Sequence, residues 1–95
     1  MSNQREETAC VGAALDTTER NFGAFYGALE NFVGGDAVRG AQTMWLDYRK
    51  KQCEGIFNFF RRGTIAPSAR IRCEIALTRS RMRDLDALFD VQLHH

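Results

Sequence analysis

Cys10, Cys53 and Cys73 are the residues of this chain best suited to chemistry. Thiolates bind zinc, attack electrophiles or pair as disulfides. Zinc ligation calls for close-spaced cysteine pairs or for histidines between them, and neither pattern is present. A nucleophilic thiol needs a basic partner, but the two histidines, His94 and His95, are the last residues and no ligand role is taken from them. An odd number of cysteines leaves one over, so the expectation is one disulfide and one free thiol in an oxidising compartment. No glycine-rich phosphate loop, Ser/His/Asp set or carboxylate pair with a histidine is visible. The chain reads as a non-enzyme with no metal and no cofactor.

The second stretch with chemical character is AQTMWLDYRKKQCEG, residues 41–55. On a helix, Ala41, Trp45, Tyr48 and Gln52 fall on one stripe, with Arg49 and Cys53 beside it. Trp45 and Tyr48 read as core anchors whose polar atoms find partners at the rim. Trp45 is expected to be mostly buried against Phe22, Phe25 and Tyr26. Arg49 and Arg81 are expected to make structural contacts, with Arg49 stacking on Trp45 or bonding a carboxylate such as Asp16 or a helix-end carbonyl, since arginine's planar fork suits a fixed, partly buried pair. Lys50 and Lys51 read as a solvated face.

The elements that position these residues follow from punctuation. Gly34-Gly35 and Gly63 divide the chain into three periodic segments. The first carries Val11, Ala14, Leu15, Thr18, Phe22, Phe25, Tyr26, Leu29 and Phe32 in steps of one, three and four, predicting a helix over 5–33. The second runs through Val38, Ala41, Trp45, Tyr48, Gln52, Ile56 and Phe59, predicting a helix over 36–61 with Asp36 as its N-cap. The third runs through Ala69, Cys73, Ala76, Leu77, Ser80, Leu85 and Leu88, predicting a helix over 65–90. Thr64 is its expected cap and Pro67 is tolerated in its first turn. Short connections make neighbours antiparallel. The expectation is an all-α, antiparallel up-down-up three-helix bundle, one domain over 1–95. Gly12, Gly23, Gly27, Gly40 and Gly55 each weaken a helix by roughly 1 kcal/mol relative to alanine, so they predict close helix approach.

Composition sets the class. With 44% hydrophobic and 26% charged residues the chain is too apolar for disorder. No run is long enough to span a bilayer. The N-terminus MSNQREETAC has no apolar signal region. The home is then cytoplasmic if Met1 is the native start, and periplasmic or secreted if an upstream signal has been removed.

The residues also resemble a known family, the LprI-type lysozyme-inhibitor N-terminal domain, a small helical cysteine-containing bacterial domain. Cys10, Leu15-Asp16, Asn21 and Tyr26 match its first helix. Its second-helix pattern, L..AQ..W..YR...C, is similar to Val38, Ala41, Gln42, Trp45, Tyr48, Arg49 and Cys53. Its turn matches Gly63-Thr64-Ile65-Ala66-Pro67, and Cys73, Thr78, Arg81 and Leu85 match its third helix. Two departures stand out: the family often has a further cysteine upstream of the Cys10 position, and Arg62 replaces the first glycine of its turn. The resemblance implies a structural motif of Gln42, Trp45, Tyr48, Arg49, Thr78 and Arg81, an exported or lipid-anchored protein, and a protein partner such as lysozyme or another cell-wall hydrolase.

Hairpin geometry selects the cysteine pair. Cys53 lies ten residues before Gly63 and Cys73 ten after it, so a turn there sets them level. The position facing Cys53 on the first helix is near Asp16, which leaves Cys10 about six residues, or roughly 9 Å, out of level. A disulfide needs Cα atoms within about 7 Å. Cys53–Cys73 is the expected bond and Cys10 the free thiol, the orphan of the pair whose upstream member is missing.

Charge distribution bears on the partner. The chain carries a formal net charge of +1, yet from Arg61 to Arg83 seven arginines face one acidic residue, Glu74. Lysozymes are typically basic, and this segment repels a basic enzyme, whereas an acidic patch at Glu6, Glu7, Asp84, Asp86 and Asp90 would attract one. The alternative function is nucleic-acid binding, with Arg72, Arg79 and Arg83 tracking phosphates. Near-zero net charge and local pairing with Glu74, Asp84 and Asp86 weigh against it.

Overall fold

The computed structural model describes residues 4–94. Helix α1 spans Gln4–Val33, a 3-10 turn covers Gly35–Ala37, α2 spans Arg39–Phe59, α3 spans Ala66–Leu88 and a short α4 spans Asp90–His94. The fold is all-α, a three-helix bundle in which α2 runs antiparallel to both α1 and α3. Three cross-links set the register. Glu30 of α1 meets Arg39 of α2, Cys53 of α2 meets Cys73 of α3, and Glu7 of α1 meets Arg72 of α3.

The bundle is elongated, 49 × 22 × 16 Å along its principal axes. Helix α3 packs against both α1 and α2, but among the described residues no Cα of α1 comes within 8 Å of one on α2. Large side chains fill the seam between α1 and α2. Phe22 stacks on Trp45 with ring centroids 5.7 Å apart, and Arg49 reaches Glu19. The interior glycines therefore do not mark close approach. A methyl group at Gly12, Gly23, Gly27, Gly40 or Gly55 would meet nothing within 4 Å. These positions lie on open helix faces, where a missing side chain brings no neighbour nearer.

The α1–α2 reversal turns on Gly34, whose φ of 86° is left-handed and suits a residue without a Cβ. Helix α2 is capped differently from the sequence expectation. Asp36 lies inside the 3-10 turn, and Val38 occupies the N-cap without a side-chain hydrogen bond. Burial decides this: Val38 is only 2% exposed and joins Leu29 and Leu85 in the core cluster. Phe22, Phe25, Tyr26, Val33, Phe89 and Leu93 pack around those three. At the start of α3, Ile65 rather than Thr64 is the N-cap, and Pro67 sits in the first turn.

Helix α2 also buries a different stripe from the expected one. Val38, Gln42 and Cys53 are buried and Trp45, Arg49, Ile56 and Phe60 half-buried, whereas Ala41, Tyr48, Gln52 and Phe59 are exposed. The helix carries two apolar stripes, and the one holding Cys53 faces inward because the disulfide ties it to α3. On α3 the buried residues are Ala66, Ser68, Ile75, Thr78 and Leu85, while the expected Ala76 and Leu88 are exposed. Helices on two sides widen the buried arc of α3 beyond a single stripe.

Candidate functional site

A polar ladder ties α2 to its neighbours. The Arg49 Nη1 donates to Glu19 Oε1 on α1 at 2.9 Å and to Thr78 Oγ1 on α3 at 2.9 Å. Its guanidinium carbon lies 5.2 Å from the Trp45 ring centroid, within cation–π range. Thr78, 1% exposed, in turn donates to the Glu74 carbonyl at 2.7 Å. Two turns nearer the start of α2, Arg81 Nε donates to the buried Gln42 Oε1 at 3.1 Å. A buried polar group without a partner is costly, and both Thr78 and Gln42 have theirs.

Gln42 with Arg81, and Trp45 and Arg49 with Thr78, thus form two polar clusters that make up an interhelical network. Two details differ from the sequence expectation. Arg49 pairs with Glu19 instead of Asp16, one turn further along α1. Trp45 is half-buried, because it sits in the seam where α1 and α2 stand apart, held by Phe22 and Arg49. Tyr48 stands outside the network. It is 52% exposed and points away from the core stripe.

The disulfide Cys53–Cys73 has its Cα atoms 5.6 Å apart, and Cys10 is a free, exposed thiol. Among the described residues, no three His, Cys, Asp or Glu side chains form a group able to hold a metal ion. No described helix is long and apolar enough to cross a membrane.

The three arginines expected on a partner surface have different surroundings. Arg72 Nη2 bonds Glu7 Oε1 at 2.5 Å. Arg79 lines a shallow cleft between α1 and α3 with Ala14, Thr17 and Asn21. Arg83 is exposed near the far end of α3, beside Asp84. The expected acidic patch is divided. Glu7 is level with Arg72, while Asp84 lies twelve residues along α3, about 18 Å away at 1.5 Å per residue. Glu6 and Glu7 therefore do not share a surface with Asp84, Asp86 and Asp90.

Two surfaces escaped the sequence reading. One is an apolar groove of about 440 Å³ between α2 and α3, lined by Ile56, Phe60, Ala69, Ala76 and Leu77. The other is the set of exposed large apolar side chains, Met44 and Phe59 on the outer face of α2, Phe32 at the end of α1, and Leu88 and Val91 at the end of the chain. The second stripe of α2, Met44-Tyr48-Phe59, was the available signal for part of this set. Two titrations are shifted: burial chiefly, with Glu30 adding, pushes the Tyr26 phenol above its ordinary value, against a smaller pull from Arg39 and Arg81, and the hydrogen bond to Glu30 holds the Arg39 guanidinium above its own.

Residues 1–85 match the model of a family described as Lysozyme inhibitor LprI. The chain belongs to the LprI family. A relative in Rhizobium meliloti (strain 1021), an uncharacterized protein, is 34% identical over 84 residues, covering 84% of this chain and 56% of the relative. The chain thus spans little more than half the length of that relative. No solved structure matches it. The cross-links of Gln42, Arg49, Cys53, Cys73, Thr78 and Arg81 give the LprI pattern noted in the sequence a physical meaning, since these side chains join the helices to one another.

Proposed function

We propose that this chain is an exported protein-binding domain that inhibits a cell-wall hydrolase of the lysozyme type. The observation that carries the reading is the LprI match over residues 1–85, nearly the whole chain. Such a domain needs no chemistry of its own. It inhibits by occupying the enzyme's surface at equilibrium.

The Cys53–Cys73 bond supports export, because a disulfide persists in the periplasm or outside the cell and is reduced in the cytosol. The nucleic-acid alternative is less well supported. Arg72 is engaged by Glu7, and Arg83 stands among Asp84 and Asp86, so the arginines of α3 do not present an uninterrupted cationic track. The test is lysis of bacterial cell walls by a basic lysozyme with the oxidised chain added. Dose-dependent protection is expected, and undiminished lysis at saturating chain sinks the reading. Retention on generic DNA at low salt, falling steeply as salt rises, would favour the alternative.

A further inference from the structure

The charges of the chain are sorted along its length in a way the net value hides. Residues 29–40 and 83–94, which meet at one end of the bundle, hold Glu30, Asp36, Asp84, Asp86 and Asp90 against Arg39 and Arg83. That end carries a net −3, which leaves +4 on the rest of a chain whose total is +1. The same end exposes Phe32 at 67%, Leu88 at 72% and Val91 at 67%. These side chains flank the Leu29–Val38–Leu85 cluster without entering it, so the core beneath is already closed. Exposed apolar groups amid an excess of one charge suit docking to a partner of the opposite sign.

We infer that this acidic, apolar end is the docking surface for a basic protein, the cell-wall hydrolase of the proposed function, on which the inference rests. The placement removes from the docking end the arginines at the start of the arginine-rich segment, while Arg79, Arg81 and Arg83 remain within about 8 Å of Asp84 along α3. Arg72 is about 18 Å from Asp84 along α3, and Arg61 and Arg62 lie further off beyond the α2–α3 turn. The screening length at physiological ionic strength is about 8 Å. A basic enzyme approaching the acidic end is therefore shielded from the arginines of the other end. The acidic groups raise the encounter rate, and Phe32 and Leu88 supply the contacts that slow departure.

The test measures association and dissociation rates between the oxidised chain and a basic lysozyme at low and high salt, for three paired variants. Asp36→Lys with Asp84→Lys is expected to slow association about tenfold at low salt and much less at high salt. Phe32→Ser with Leu88→Ser is expected to speed dissociation about tenfold with a small change in association. Met44→Ser with Phe59→Ser, on the outer face of α2, is expected to leave both rates unchanged. All six positions are exposed, and unchanged helical circular dichroism verifies folding. If the α2 pair weakens binding while the two end pairs do not, the docking surface lies on α2 and the inference is overturned. If the unaltered chain fails to bind the enzyme at all, the inhibitor reading itself falls, and the inference falls with it.

Discussion

The two ends of this bundle are held together by different means. At the α1–α2 reversal, Leu29, Val38 and Leu85 are at most 2% exposed and aromatic rings surround them. At the α2–α3 reversal, the fully enclosed residues are small: Cys53, Ala66 and Ser68. There the Cys53–Cys73 bond does part of what apolar area does at the other end. A small domain buries too little surface to hold both ends by packing alone, and a disulfide is the usual supplement. The lesson is that cross-links are most useful where side-chain volume runs out.

The comparison is open to breaking. The largest effect is expected at Leu85. Leu85→Ala should cost about 3–5 kcal/mol through lost burial and a residual cavity, read from denaturant unfolding. Ile75→Ala, nearer the stapled end and 9% exposed, should cost less. Equal costs would mean that the two ends are not held differently.

Replacing both Cys53 and Cys73 by alanine comes next. Closing a loop of 20 residues stabilises by on the order of 3 kcal/mol in the chain-entropy account. Amide exchange should accelerate between residues 53 and 73, while amides near Leu29 and Leu85 keep more of their protection. Uniform acceleration through the whole chain would show that the staple acts globally and not on its own end.

The smallest effect concerns pH and the packed end. Burial raises the Tyr26 phenol pKa above the unfolded value near 10. The folded state thus holds this proton more tightly. The stabilisation is fully present below about pH 10 and is lost as pH rises through the folded value. The stability difference between the wild-type chain and Tyr26→Phe should be flat at neutral pH and shrink or change sign under alkaline conditions. A pH-independent difference would mean that the phenol is not shielded by the cluster.

Much of the fold was legible in the sequence because local signals and topology agreed. The glycine punctuation marked the reversals, and the equal spacing of Cys53 and Cys73 about Gly63 pointed to the disulfide. The inward face of α2 was not legible. Its stripes through Tyr48 and through Cys53 are both apolar, and periodicity has no means of ranking them until α3 claims one. The caps failed for a related reason. Asp36 has the right chemistry for an N-cap, but burying Val38 decides where α2 begins. Pairing across α1 and α2 was one turn off, Glu19 for Asp16, although reflection about Gly34-Gly35 sets Arg49 opposite position 20, beside Glu19, and Asp16 opposite Cys53. The sorting of charge between the ends was hidden as well, since Glu7 and Asp84 become distant only once α1 and α3 run side by side.

Helix α3 alone brings its backbone within 8 Å of both other long helices, and this has an evolutionary consequence. A substitution on α3 is felt at two interfaces at once, so few alternatives satisfy both. A substitution on α1 or α2 answers to one helix interface and to a seam bridged by long, adaptable side chains. Among descendants of such a chain, α3 should change slowest, while the outer faces of α1 and α2 diverge and supply the variation from which new partners are selected.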